Sequence, residues 1–115
     1  MKICNQTSNQ IICQNARIAN TVLSRMIGLL MKKSFQNTDG LLLMPCSQIH
    51  SIGMKFNFDA VYLDKDYKII ATYNNVEKNR ILPYNNLVKS VLELPEGAIQ
   101  ANKLEIGDVL KILEE

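Results

Sequence analysis

The chain has 115 residues, of which 47% are apolar and 21% charged, and its 13 Lys and Arg against 11 Asp and Glu leave a net charge of +2. A chain of this length buries roughly two-thirds of its unfolded surface, enough for one modest core, so a single domain over residues 1–115 is expected and two full domains are excluded. Composition this close to the globular average also excludes disorder, collagen-like repeats and a charge-dominated tail.

The basic residues form no run longer than Lys32-Lys33. A phosphate-backbone binder concentrates Lys and Arg on one face, so no nucleic-acid partner is expected. Cys4, Cys13 and Cys46 form an odd set without a CxxC pair, which points to reduced thiols and a cytoplasmic location. Met1-Lys2-Ile3 runs into the polar stretch Asn5 to Gln10, whereas a secretory signal places an apolar run of roughly 7–15 residues there. The longest apolar stretches, such as Leu41 to Pro45, fall far short of the ~20 residues that span a bilayer, so no membrane association is expected.

Lys2-Ile3-Cys4 and Ile11-Ile12-Cys13 read as two short strands around a Gln/Asn/Thr/Ser turn. From Asn20 the period changes. Val22, Leu23, Met26, Ile27, Leu29 and Leu30 recur at spacings of three and four, with Asn20 or Thr21 as N-cap and Lys32-Lys33 at the other end, which predicts the one long helix. Leu41 to Met44, bounded by Gly40 and Pro45, fits a strand buried on both faces. Pro45 to Ser51 breaks the pattern with small polar groups, a thiol and the only imidazole, and reads as a loop. Phe56 to Asp64 and Tyr67 to Tyr73 predict a hairpin at the centre of the sheet. Residues 74–86 read as loops around a short edge piece, Arg80-Ile81-Leu82, and Val88 to Leu94 as a strand. Ala98 to Asn102 predicts one helical turn and Val109 to Leu113 a last buried strand. One helix among about seven short strands is not the βαβ alternation of a parallel sheet. The expected class is α+β, a curved or barrel-like and mostly antiparallel sheet with the helix packed against it.

Cys46 and His50 are four residues apart, on one side of the chain whether it is extended or helical. A thiol beside an imidazole is a candidate nucleophile and base. With less weight it is half of a zinc site, which only Cys4 or Cys13 could complete; against both stand the buried cysteine that serves as a small hydrophobe and the lone histidine that satisfies a loop carbonyl. No metal or other cofactor is expected. Asp59 shares a strand face with Val61 and Leu63. If that face is the core, its carboxylate demands a partner such as Arg25, His50 or backbone N–H groups; the plainer reading leaves it at a frayed strand start. Arg25 lies one helical turn before Gly28, where a mid-helix glycine suits close approach of a backbone or ligand, so Arg25 is a candidate clamp for a carboxylate or phosphate, or a structural ion pair. Glu93 points away from Leu92 and Leu94 and reads by itself as a solvent-side strand residue.

Ala19-x-Thr21-x-x-x-Arg25-x-x-Gly28-Leu29-Leu30, Gly40 to Leu43, Pro45-Cys46-x-x-Ile49-His50-Ser51-x-Gly53 to Phe56, Phe58 to Asp64, Leu92-Glu93-Leu94-Pro95-x-Gly97 and Gly107-Asp108 resemble the family catalogued as domain of unknown function 192. The resemblance runs from about residue 17 to the C-terminus. Leu30 stands where that family usually has Met, Ser51 for Thr, Lys55 for Arg and Asn57 for Pro, the last losing a rigid turn before the Asp59 strand. The resemblance implies a compact α+β domain of this length, found in bacteria and archaea with and without export signals, and no particular reaction. Its motif positions carry over as Arg25, Gly28, Cys46, His50, Met54, Asp59 and Glu93.

Three functional readings follow. The first is a binding module whose cleft around Arg25, Cys46, His50 and Asp59, with Gly28, Met54 and Glu93 as further contacts, holds a small anionic or peptide-like ligand or a protein partner. The second is a thiol enzyme with Cys46 as nucleophile, His50 as base and Asp59 or Glu93 orienting the imidazole. In the third, the cluster only fixes the irregular loop at residues 45–53. A single histidine and the absence of a phosphate loop rank binding above catalysis.

Overall fold

The short apolar runs, punctuated by Asn, Gly and Pro, fold as strands in the computed structural model, which describes residues 1–21, 35 and 37–114. The helix expected from Asn20 to Lys33, with Arg25 and Gly28, lies almost wholly outside the described residues. The strands are β1 (Lys2–Asn5), β2 (Gln10–Cys13), β3 (Ala16–Ala19), β4 (Gly40–Leu43), β5 (Phe58–Leu63), β6 (Ile69–Val76), β7 (Ser90–Pro95) and β8 (Leu110–Leu113). One helical turn, α1 (Ala98–Ala101), follows β7.

These eight strands form two sheets, β2-β1-β8 and β3-β4-β7-β5-β6, rather than a single closed one. All pairs are antiparallel except β3 with β4. The β5–β6 hairpin forms as its residue pattern predicts, but β7 takes the centre of the larger sheet and β6 its edge. Central position explains the burial pattern: β4 and β5 are buried at every residue, and β7 at all but Pro95.

The larger sheet has a core on each face. Leu42, Val61, Leu63, Leu92 and Leu94 meet Ile3, Cys13 and Leu110 of the smaller sheet, with Ile99 of α1. On the opposite face Leu41, Leu43, Phe58, Ala60, Tyr62 and Val91 pack with Phe35, Ile49, Met54, Leu82 and Val88. Burying this much aliphatic surface at about 25 cal/mol per Å² is the main stabilising contribution.

Where the two sheets meet, Gly40 is required by space rather than by backbone angle. A Cβ there would sit 2.8 Å from Cys13 Sγ and 3.3 Å from Leu94 Cδ2. Cys13 is fully buried, and burial, with Asp39 nearby, pushes its thiol up to about 12, so it packs as a small hydrophobe. Gly40→Ala is therefore expected to cost roughly 1–3 kcal/mol by overpacking. Adding Cys13→Ala removes the clashing sulfur and should recover part of that loss, a coupling read by urea denaturation of the two single variants and the double.

Candidate functional site

The segment after β4 is held by backbone contacts to distant strands. Cys46 N–H donates to Lys89 O at 2.9 Å, Ser51 N–H to Arg80 O at 2.8 Å and Leu82 N–H to Ile49 O at 3.1 Å. His50 pairs with Ile81 in an isolated bridge. Ser51 is fully buried; its hydroxyl donates to Glu77 O and accepts from Arg80 N–H at 2.8 Å. That serine pins the loop, a role the sequence does not single out, since Ser47 in the same segment carries the same group.

The sequence candidates separate in space. Cys46 Sγ donates to Gln48 O at 3.2 Å while its body packs on the core that holds Met54. His50 is exposed, and its Nδ1 accepts from Ile52 N–H at 3.2 Å, so its observed hydrogen bond stays within the loop. Met54 is buried, with Phe56 packed on the same cluster. Tyr62 reaches from β5 to donate its hydroxyl to Pro83 O at 2.9 Å, and burial pushes this phenol up to about 12.

Asp59 is fully buried rather than frayed. Its Oδ1 accepts from Asn75 N–H and its Oδ2 from Ile99 N–H, both at 2.9 Å. The second contact caps α1, whose own N-cap, Gly97, offers no side chain. The first exists because the β5–β6 register shifts between Phe58 and Ala60, which turns the Asn75 amide toward Asp59. Among the described residues, backbone amides rather than His50 or another side chain hold both of its oxygens, and the structure does not bring Asp59 to the imidazole.

Glu93 corrects the solvent-side expectation. It is only 6% exposed, because it sits on the central strand, opposite Leu41 on β4 and Ala60 on β5. Alternation puts it on the face of Ala60, Tyr62 and Val91, the same face as Cys46 and Met54 and the opposite one from Asp59. No described residue hydrogen-bonds its carboxyl, and burial pushes it up to about 8, which favours the protonated acid near pH 7, a form with one donor and one acceptor to offer. Of the candidates among the described residues, Cys46, Met54 and Glu93 share a face; His50 lies on the exposed loop and Asp59 beneath the sheet. Among the described residues no group of three or more His, Cys, Asp or Glu could hold a metal ion, and no helix is long and apolar enough to cross a membrane.

Two solved structures share this fold. A protein of unknown function from Novosphingobium aromaticivorans DSM 12444 is 14% identical, with a TM-score of 0.81 over 96% of this chain and 82% of that one. A protein from Sinorhizobium meliloti 1021, provisionally named a transcription regulator, is 18% identical, with a TM-score of 0.81 over 96% of this chain and 89% of that one. At such identities the likeness is one of fold. No curated protein matches the chain. Residues 3–112 match domain of unknown function 192, described as Uncharacterized ACR, and the chain therefore belongs to that family.

Proposed function

We propose that the chain is a binding module for a small ligand carrying an amide or carboxylate group, taken up on the Glu93 face of the larger sheet. The observation that supports this reading is a glutamate only 6% exposed, whose carboxyl takes no hydrogen bond from a described residue, set between Leu41 and the small Ala60. Withdrawing a carboxyl this far from water carries a desolvation cost, and groups held at such a cost concentrate at recognition sites. A neutral carboxylic acid offers one donor beside one acceptor, which matches an amide edge or a carboxylate oxygen. Arg25, proposed from the sequence as a clamp for the ligand's anionic end, would complement it.

The thiol-enzyme alternative has less support, since the Cys46 thiol is directed to the Gln48 carbonyl and His50 Nδ1 to the Ile52 amide. A thermal-shift screen of amide- and carboxylate-bearing metabolites at pH 6.5, run on the wild type and on Glu93→Leu, tests the binding reading. The expected result is at least one compound that raises the wild-type Tm by several degrees and leaves the folded Glu93→Leu variant unmoved. No shift with any compound, or the same shift in both proteins, would overturn it.

A further inference from the structure

A second recognition element lies on the edge of the larger sheet, away from Glu93. The β6 edge and the returning segment at 80–83 enclose a groove of about 560 Å³, lined by Thr72 to Glu77 and Arg80 to Pro83. Both walls offer backbone groups without a partner among the described residues. On the segment wall, the Ser51 amide bonds Arg80 O and the Leu82 amide bonds Ile49 O, so Ile81 between them turns its own N–H and C=O away from the 47–51 loop. On the strand wall, the Asp64 amide bonds Lys68 O, which directs Tyr62 and Ala60 of β5 toward β6. Their partners Ala71 and Tyr73 then face inward, and Thr72, opposite Val61, presents its N–H and C=O outward. No described backbone group pairs with Thr72 or Ile81 from outside.

We propose that this groove takes a short extended segment of a partner protein, added as a strand to the β6 edge with an apolar side chain set against Tyr73, Val76 and Ile81. The donors and acceptors that both walls offer define the occupant as an extended backbone. β6 contains neither Lys nor Pro, two residues that commonly block strand addition; Ile69 at its start already bonds Gly107 and Asp108, which leaves the edge around Thr72 to be extended. Its register is regular only from Ala71 to Tyr73, with shifts on either side. The bulges twist the rest of the edge away, which suits a short peptide and disfavours edge-to-edge pairing with a second copy. Ile81 is 71% exposed, an apolar wall without a cover, and the Arg80–Glu77 pair at 3.4 Å closes one end with charge.

The test pans the full chain against a displayed library of random peptides about ten residues long, the upper length of ordinary strands. Selected peptides are then titrated against the wild type, Thr72→Pro and Ile81→Asp. Thr72→Pro removes an outward amide at an edge position where proline is tolerated, and Ile81→Asp changes an exposed side chain, so one of the two stays informative if the other fails to fold. The expected result is enrichment of sequences alternating apolar and polar residues, with about tenfold weaker binding to each folded variant. Three outcomes would overturn the proposal: no enrichment, selected peptides indifferent to both variants, or a concentration-dependent dimer in sedimentation that Thr72→Pro abolishes, which would assign the edge to a second copy.

Discussion

Asp59→Ala is expected to lower unfolding stability by roughly 2–5 kcal/mol, because the buried Ile99 N–H and the partly buried Asn75 N–H lose their carboxylate acceptor. Removing the carboxylate also uncaps α1, which has no local capping side chain. Against a typical total of about 5–15 kcal/mol, this is a large share. Urea denaturation should show a lower midpoint at an unchanged slope. Asp59→Asn should lose less, since its side-chain oxygen still accepts one amide while its NH₂ faces the other donor. The direction of the change separates two roles for this residue. A carboxylate kept for ligand chemistry commonly costs stability, so its removal stabilises or is neutral; one kept to tie β5, β6 and α1 together destabilises when removed. An unchanged or higher midpoint for Asp59→Ala would refute the structural role assigned here.

The local half of this architecture could be read from residue patterns and the long-range half could not. Leu41 to Leu43 betrays a strand covered on both faces through its unbroken apolar run, and the β5–β6 hairpin through alternation around Asp64 to Asp66, because burial and turn chemistry act over a few residues. β3 carries no such signal. Ala16-Arg17-Ile18-Ala19 has one β-branched residue and becomes a strand through parallel pairing with β4, more than twenty residues on. Strand order is likewise non-local: nothing within Ser90 to Pro95 says that it lies between β4 and β5. That missing fact is why Glu93, which alternation turns away from Leu92 and Leu94, reads as solvent-facing and proves buried. For Asp59 the list of possible partners could be drawn up from the strand pattern, backbone amides included. Choosing among them required the register shift in β6 and the placement of α1, both products of tertiary packing.

Glu93→Gln is expected to make the protein less sensitive to pH and more stable than the wild type above pH 4.5. The folded carboxyl holds its proton up to about 8, against 4.5 for an unperturbed one, and burial is the cause. Between those values the unfolded chain has released the proton and the folded chain has not, so the folded state binds more protons and its stability falls as pH rises, by about 1.4 kcal/mol per pH unit. The stabilisation from the neutral acid is fully present below 4.5 and is lost by about 8, a total on the order of 5 kcal/mol. Glutamine keeps the shape and the neutral hydrogen-bonding edge without the proton. The wild-type and variant curves should therefore meet near pH 4.5 and separate by roughly 3 kcal/mol at pH 7, and taking their difference cancels every other titrating group the two share. Urea denaturation from pH 4 to pH 9 measures it. A difference that stays flat across that range would mean that the folded carboxyl is already ionised at pH 7, which requires a charged partner and removes the neutral acid from the proposed recognition of an amide or carboxylate. A sloping difference also gives the binding proposal a second readout: a ligand whose acceptor takes the Glu93 proton must bind more weakly once pH exceeds about 8, when the donor is gone.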